Sequence, residues 1–318
     1  MHDFLPITLN SLKADTRIGC DIYLLIRNNG TSRYILYCKN DAAFDNEQKE
    51  MLVRKNINKL FIGKEDQQKY SEYLESNLKN ILSDDRIESK EKAQIVYGTA
   101  TNMLRDVFNA PRFKNLERSK TFAYNMIDYI LRDGKAAYNL LKITSHDYYT
   151  YTHSVNVATI GSLFAKNIGL GEKDMKTFCT GMLLHDLGKT KIHSDILNKK
   201  GTLTDDEFKE MRKHPEMGVA VLRESGDSFN EEYSIILQHH ENCDGSGYPF
   251  GLKKEEIHYS SRIVRIIDIY DALTTQRSYS APQKPYNSLK VIRDEMYHAV
   301  DHTMLKSFIK FLGGHGSS

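Results

Sequence analysis

Leu183-Leu184-His185-Asp186-Leu187-Gly188-Lys189 closes an apolar run on an imidazole and a carboxylate, followed at once by a glycine and a lysine. Adjacent side chains on a helix diverge by about 100°, so His185 and Asp186 reach one ion only from the last turn of a helix that Gly188 ends. One imidazole and one carboxylate are not a metal site, and the rest of the chain supplies further candidates. His153 stands upstream in Tyr151-Thr152-His153-Ser154-Val155, and His214 downstream in Arg212-Lys213-His214-Pro215. His239-His240 follow Ile235-Ile236-Leu237-Gln238, and Asp268 lies inside Val264-Arg265-Ile266-Ile267-Asp268-Ile269-Tyr270. A lone histidine in such a place is as often a helix cap or a surface group as a ligand. The pairs His185-Asp186 and His239-His240 are harder to read so, because polar groups ending apolar helices need partners. Five imidazoles and two carboxylates exceed what one first-row ion needs. They suit two divalent ions sharing a bridging carboxylate and a bridging hydroxide, and a donor set without thiolate selects iron, manganese or zinc.

Between these residues the pattern is helical almost throughout. His153, Val157, Ile160, Phe164 and Ile168 recur at three- or four-residue spacing, so the first candidate begins a helix whose remaining face is core. Gly169-Leu170-Gly171 ends that helix, and Lys173 to Leu184 carries the next to His185-Asp186. Thr204-Asp205-Asp206-Glu207 has the form of a capping box and starts a helix predicted to reach His214 about three turns later. After His239-His240, the stretch Glu241-Asn242-Cys243-Asp244-Gly245-Ser246-Gly247-Tyr248-Pro249 reads as a shaped loop. Its Tyr248 can stack on a base, donate to a phosphate or simply pack as a lid. Arg262 to Leu273 forms the last helix of this set. Asp268 in its apolar run would be costly unpaired, and Asp271 lies on nearly the same face. Arg277 follows in a turn, where it can make a bidentate phosphate contact.

These residues, in this order, resemble the HD-GYP subgroup of the HD metal-dependent phosphohydrolases, which hydrolyse cyclic di-GMP. The resemblance runs from about Ser145 to Tyr279. It rests on His153-Ser154-x-x-Val157, His185-Asp186-x-Gly188-Lys189, Ile196-Leu197-Asn198-Lys199-x-Gly201-x-Leu203, His214, His239-His240-Glu241-x-x-Asp244-Gly245-x-Gly247-Tyr248-Pro249 and Asp268-x-x-Asp271-Ala272-Leu273-Thr274-x-x-Arg277.

The resemblance implies an all-helical catalytic domain. Two ions, iron first with manganese or zinc as alternatives, would be held by His153, His185, Asp186, His214, His239, His240 and Asp268, with Asp186 bridging. Lys189 and Asp186 would carry the chemistry, while Lys189, Tyr248 and Arg277 bind substrate. Asp271, Asp244 and Glu241 would support the ligands from behind. The expected reaction is hydrolysis of cyclic di-GMP to pGpG, and with a second cut to GMP, by the bridging hydroxide; the alternative is a weakly active or inactive binding module of the same fold. Members holding three ions carry a glutamate one turn before the first histidine, where this chain has Tyr149, so two ions are implied. The usual Pro-Asp after the lysine motif is His193-Ser194 here, and Ser280 takes the place of a basic residue.

The chain of 318 residues, 40% hydrophobic and 27% charged with a formal net charge of +2, is long enough for two domains and shows no sign of disorder. No concentrated basic stripe supports a nucleic-acid polymer as partner, and no apolar run approaches the roughly 20 residues of a membrane span. Cys20, Cys38, Cys179 and Cys243 lack paired spacing, so reduced thiols and a cytoplasmic location are expected.

The expected fold is mainly α, the helical HD-GYP domain preceded by a small α/β domain. Residues 1–82 form that first domain, regulatory or dimerising, with a homodimer or a signalling protein as its expected partner. Its strands Ile22–Ile26 and Tyr34–Cys38 join through a hairpin at Asn28–Ser32, and helices run over Glu47–Lys59 and Gln67–Leu82 with a strand at Leu60–Ile62 between them. Residues 83–134 are a helical connector broken at Pro111, 135–312 the catalytic domain, and 313–318 a flexible tail.

Overall fold

The computed structural model describes residues 4–28, 31–144, 150–226, 229, 231–275 and 282–315. The chain divides into two compact units, Met1–Thr99 and Ala100–Ser318; the division falls within the stretch read as a connector.

In the first unit, strands β1 (Phe4–Thr8), β2 (Thr16–Arg17), β3 (Ile22–Asn28), β4 (Thr31–Cys38), β5 (Ala43–Phe44) and β6 (Lys59–Gly63) precede or flank helices α1 (Asn46–Arg54) and α2 (Gln67–Ser83). The main sheet has the order β1-β6-β3-β4, antiparallel throughout, and β2 pairs with β5. β3 and β4 pair from Ile22↔Cys38 to Asn28↔Thr31 as the hairpin reading requires, although Asn29 and Gly30 lie outside the described residues. One expectation needs correction. The first helix stops at Arg54, because Asn56 turns into the left-handed region at φ 53°, where asparagine is tolerated and a helix cannot continue. The structure adds a strand, Phe4–Thr8, at the edge of the sheet, where its Pro6 is accommodated. Ile7, Ile22, Leu60 and Ile62 of the sheet, with Leu52, Leu74 and Leu78 of the helices, are buried as this unit's core.

The division between units falls within α3 (Ser89–Asn109). The second unit continues with α4 (Phe113–Arg132), α5 (Ala136–Ile143), α6 (Thr150–Asn167), α7 (Glu172–Leu184), α8 (Ser194–Leu197), α9 (Asp205–Met211), α10 (His214–Glu224), α11 (Glu232–Gln238), α12 (Tyr259–Thr274), α13 (Pro285–Asp294) and α14 (His302–His315). α6 is buried on all sides from Thr152 to Ala165, which marks the central helix of a bundle. α7 and α12 pack against it, with α4, α5 and α14 beyond, while α11 packs on α7, α10 and α12.

Here too the structure corrects the reading. The helix opened by the Thr204 capping box ends at Met211, and His214 begins a new helix whose first turn contains Pro215. Proline, lacking an N–H, suits a first turn and interrupts a helix interior. The last helix also runs through Gly313-Gly314 to His315, further than the tail expected from Gly313.

A tight turn, Leu187–Lys191, leaves α7 and packs on α10. A Cβ at Gly188 would stand 1.9 Å from the His214 carbonyl oxygen and 2.5 Å from Gly218 N. Only glycine permits this crossing, which brings Asp186 against His214.

Candidate metal centre

Three imidazoles of the cluster are turned by the same kind of contact. Nδ1 of His185 lies 2.7 Å from the Met182 carbonyl, Nδ1 of His214 2.8 Å from that of Met211, and Nδ1 of His239 2.9 Å from that of Ile236. Each acceptor is three residues back at the end of a helical segment, so the local fold itself sets the ring. Nδ1 of His153 instead meets Asp271 Oδ2 at 2.7 Å, and Asp271 Oδ1 accepts from the Thr275 hydroxyl at 3.1 Å. Because a carbonyl or carboxylate oxygen only accepts, the proton belongs on Nδ1 in all four rings. The Nε2 lone pairs of His185, His214 and His239 therefore face inward, while His153 Nε2 meets the Asp268 carboxylate.

Asp186 lies between two groups of these nitrogens. Its Oδ1 is 3.4 Å from His214 Nε2 and 3.8 Å from His239 Nε2, while Oδ2 is 3.6 Å from His185 Nε2 and 3.9 Å from His153 Nε2. Ligand atoms of Asp186, His214, His239 and His240 lie within 4.8 Å of one another, as do those of His153, His185 and Asp186. Asp268 closes the second group, with Oδ1 3.0 Å from His153 Nε2, and its Oδ2 is 3.8 Å from His240 Nδ1.

The residues fit a cation on internal grounds. His185 Nε2 and Asp186 Oδ1 are buried and have no hydrogen-bond partner among the described residues. Orphaned atoms of this kind each cost about 1–3 kcal/mol, more when charged. His214 Nε2 and His239 Nε2 stand 3.1 Å apart with both rings protonated on the other nitrogen, so two lone pairs face each other. A positive ion held between such atoms removes both penalties.

Electrostatics keep the donors in their ligating forms. Burial lowers the pKa of His185, takes His214 down to about 4, and with the neighbouring imidazoles drives His239 and His240 well below the usual range. Burial alone would raise Asp186, but Lys189 and then His185, His214 and His153 hold it well below the ordinary carboxylate value. Asp268 behaves alike, burial being outweighed by the His153 contact and by His240.

Around this cluster, Lys189 Nζ donates to Asp186 Oδ2 at 2.6 Å. Tyr248 stacks on His240 with ring centroids 4.7 Å apart. Glu241 is buried, and instead of touching a ligand it accepts from Phe250 N and Leu252 N at 2.7 and 2.9 Å, so it ties down the loop. Asp244 was expected behind a ligand too; it is exposed and accepts from the backbone and hydroxyl of Ser246, which makes it a turn residue. Arg277 lies outside the described residues. Sequence reasoning passed over Arg265 and Asn242. Arg265 carried a signal: a charge one helical turn before Asp268 in an otherwise apolar run.

Residues 136–304 match the HD domain family, and the chain belongs to that family. HD-domain phosphohydrolases are metal-dependent, and the cluster described above could hold metal. Over 186 residues, 58% of this chain and 44% of the relative, the sequence is 36% identical to a cyclic di-GMP phosphodiesterase of Pseudomonas aeruginosa. It is 36% identical over 159 residues, 49% of this chain and 30% of the relative, to a 3'3'-cGAMP-specific phosphodiesterase of Vibrio cholerae. The match thus spans less than half the length of either relative. Among solved structures, Bd1817, an HDG"Y"P protein from Bdellovibrio bacteriovorus, superposes with a TM-score of 0.68 at 22% identity, covering 98% of this chain and all of that one, 100%; this likeness shows the fold. The kinship read from the motifs is borne out, as is the mainly helical fold class with its small sheet-bearing N-terminal region. Among the described residues no helix is long and apolar enough to cross a membrane.

Proposed function

We propose that the chain is a metal-dependent phosphodiesterase that hydrolyses cyclic di-GMP to linear pGpG. The observation that carries the reading is the convergence of imidazole lone pairs and two ionised carboxylates on a buried centre whose His185 Nε2 and Asp186 Oδ1 lack any other partner among the described residues. In this proposal His153, His185, Asp186 and Asp268 would hold one ion and Asp186, His214, His239 and His240 a second; the donor set admits iron, manganese or zinc, and the family resemblance puts iron first. When bound, the ions supply Lewis acidity and a nucleophile usable at neutral pH.

The chain's own residues do the rest. Asp186 divides its two oxygens between the two groups of histidines, which fixes their separation. Asp271 holds the His153 ring in its ligating tautomer. Lys189, one turn beyond His185 and within reach of the cluster, neutralises charge that develops on the phosphate or protonates the departing 3′ oxygen. Tyr248, stacked on His240 by a loop that Glu241 anchors, offers its ring to a guanine base.

The test is turnover by the full chain reconstituted without oxygen with iron, manganese or zinc, offered cyclic di-GMP and 3'3'-cGAMP in parallel. Conversion of cyclic di-GMP to pGpG that a chelator abolishes is the expected result. Preference for 3'3'-cGAMP would correct the substrate, and failure to cleave either dinucleotide with any of the metals would refute the reading.

A further inference from the structure

The centre carries a second cation that the motifs leave unexplained. Arg265 sits on α12 among Ile263, Val264, Ile266 and Ile267, all buried, and its side chain is only 15% exposed. A guanidinium in such a place is costly unless something requires it there. Its Nε donates to Asn242 Oδ1 at 3.1 Å. Nη1 lies 3.3 Å from His240 Nδ1 and 3.7 Å from Asp268 Oδ2. Asn242 is itself held, its Nδ2 donating to Ser246 Oγ at 3.0 Å, and Ser246 to Asp244 Oδ1 at 2.6 Å. The loop that carries Tyr248 therefore sets the plane of the guanidinium.

Two cations thus flank the cluster, one beside each carboxylate: Lys189 on Asp186 Oδ2 and Arg265 near Asp268 Oδ2. Neutralising Asp268 would need only a point charge, which lysine supplies. A planar fork anchored through Nε keeps both terminal nitrogens in fixed directions, the geometry suited to two oxygens of one phosphate. Ions held by Asp268 and His240 would take over the acceptors that Nη1 now faces. The Asn242 anchor would remain, with two nitrogens directed at an incoming anion.

We propose that Arg265 is a substrate-binding residue that takes a phosphate oxygen of the cyclic dinucleotide, positioned by Asn242. The assignment rests on the phosphodiesterase reading above and adds to it a residue that fixes how the dinucleotide is seated.

Arg265→Gln, Arg265→Lys and Asn242→Ala test it in the metal-loaded full chain. Three quantities are measured on each preparation: metal per chain, affinity for a slowly hydrolysed bis-phosphorothioate analogue of cyclic di-GMP, and KM apart from kcat. Charge-assisted hydrogen bonds of this class correspond to roughly 10- to 100-fold in affinity. Arg265→Gln should keep the parental metal content, bind the analogue weaker by that factor and raise KM. Arg265→Lys should recover part of the loss, and Asn242→Ala, which keeps the charge but frees the fork, should lose roughly 3- to 10-fold. Unchanged affinity in Arg265→Gln would overturn the assignment while leaving the phosphodiesterase reading intact. So would affinity lost only together with metal, since Arg265 would then act through His240 and Asp268. A parent that neither binds the analogue nor cleaves cyclic di-GMP would overturn both.

Discussion

Asp271→Ala removes the acceptor that fixes His153 and touches no other imidazole of the cluster. In the parent, Asp271 Oδ2 takes the His153 Nδ1 proton at 2.7 Å and Oδ1 takes the Thr275 hydroxyl at 3.1 Å, all three residues being buried. The alanine leaves an imidazole N–H unsatisfied at about 1–3 kcal/mol and a hydroxyl at about 1 kcal/mol more. It also frees the ring to turn or to move its proton to Nε2, so metal affinity should fall by roughly 10- to 100-fold, as it does when such supporting carboxylates are lost elsewhere. Asp271→Asn keeps an oxygen acceptor in the same place without its charge and should recover most of both losses. Urea unfolding of the metal-free proteins, with metal affinity read by competition against a chromophoric chelator, separates the two effects. Parental values for Asp271→Ala would refute the reasoning. Equal damage in Asp271→Asn would show that charge, and not the hydrogen bond that sets the tautomer, carries the effect.

Three further outcomes follow from the same geometry. Gly188→Ala puts a methyl 1.9 Å from the His214 carbonyl oxygen, so the turn must part from α10; a melting curve should show a loss of about 1–3 kcal/mol or more and elemental analysis a loss of metal, whereas a parental protein would contradict the tight crossing. Lys189→Ala should retain metal and lose roughly 100-fold or more in single-turnover hydrolysis, and near-parental hydrolysis would reduce the lysine to a partner of Asp186. His214 titrates at about 4 in the folded metal-free protein but near 6.5 unfolded, so the unfolded chain binds a proton that the folded one refuses. Stability should therefore fall as pH drops from about 6.5 to 4, by up to about 3 kcal/mol from this group alone; identical urea midpoints at either end of that window would contradict the burial of a neutral ring.

What could be read before the structure, and what could not, divides on physical lines. The seven candidate ligands were legible because polar groups were set into or at the ends of apolar helical runs, where burial without a partner is costly. Asp271 was legible as a neighbour on the face of Asp268, though its bond to His153 joins residues 118 apart in sequence and needed the fold. The N-terminal hairpin declared itself through β-prone runs around an Asn-Asn-Gly turn. Boundaries failed where one residue outweighed periodicity: Asn56 ended α1, and Pro215 restarted a helix at His214. Glu241 and Asp244 were legible as loop residues but not in their roles, because which backbone amides a carboxylate meets depends on how the loop closes. Arg265 gave a signal in the sequence that only its contacts with Asn242 and His240 make interpretable.

The central claim is that His153, His185, Asp186, His214, His239, His240 and Asp268 together hold two ions. Anomalous diffraction from crystals of protein prepared without oxygen, with elemental analysis of the same material, tests it most directly. Two anomalous peaks per chain are predicted, one on each side of the Asp186 carboxylate, with two equivalents of metal in solution. A single peak, a third peak beside Tyr149, or peaks away from Asp186 would contradict the account.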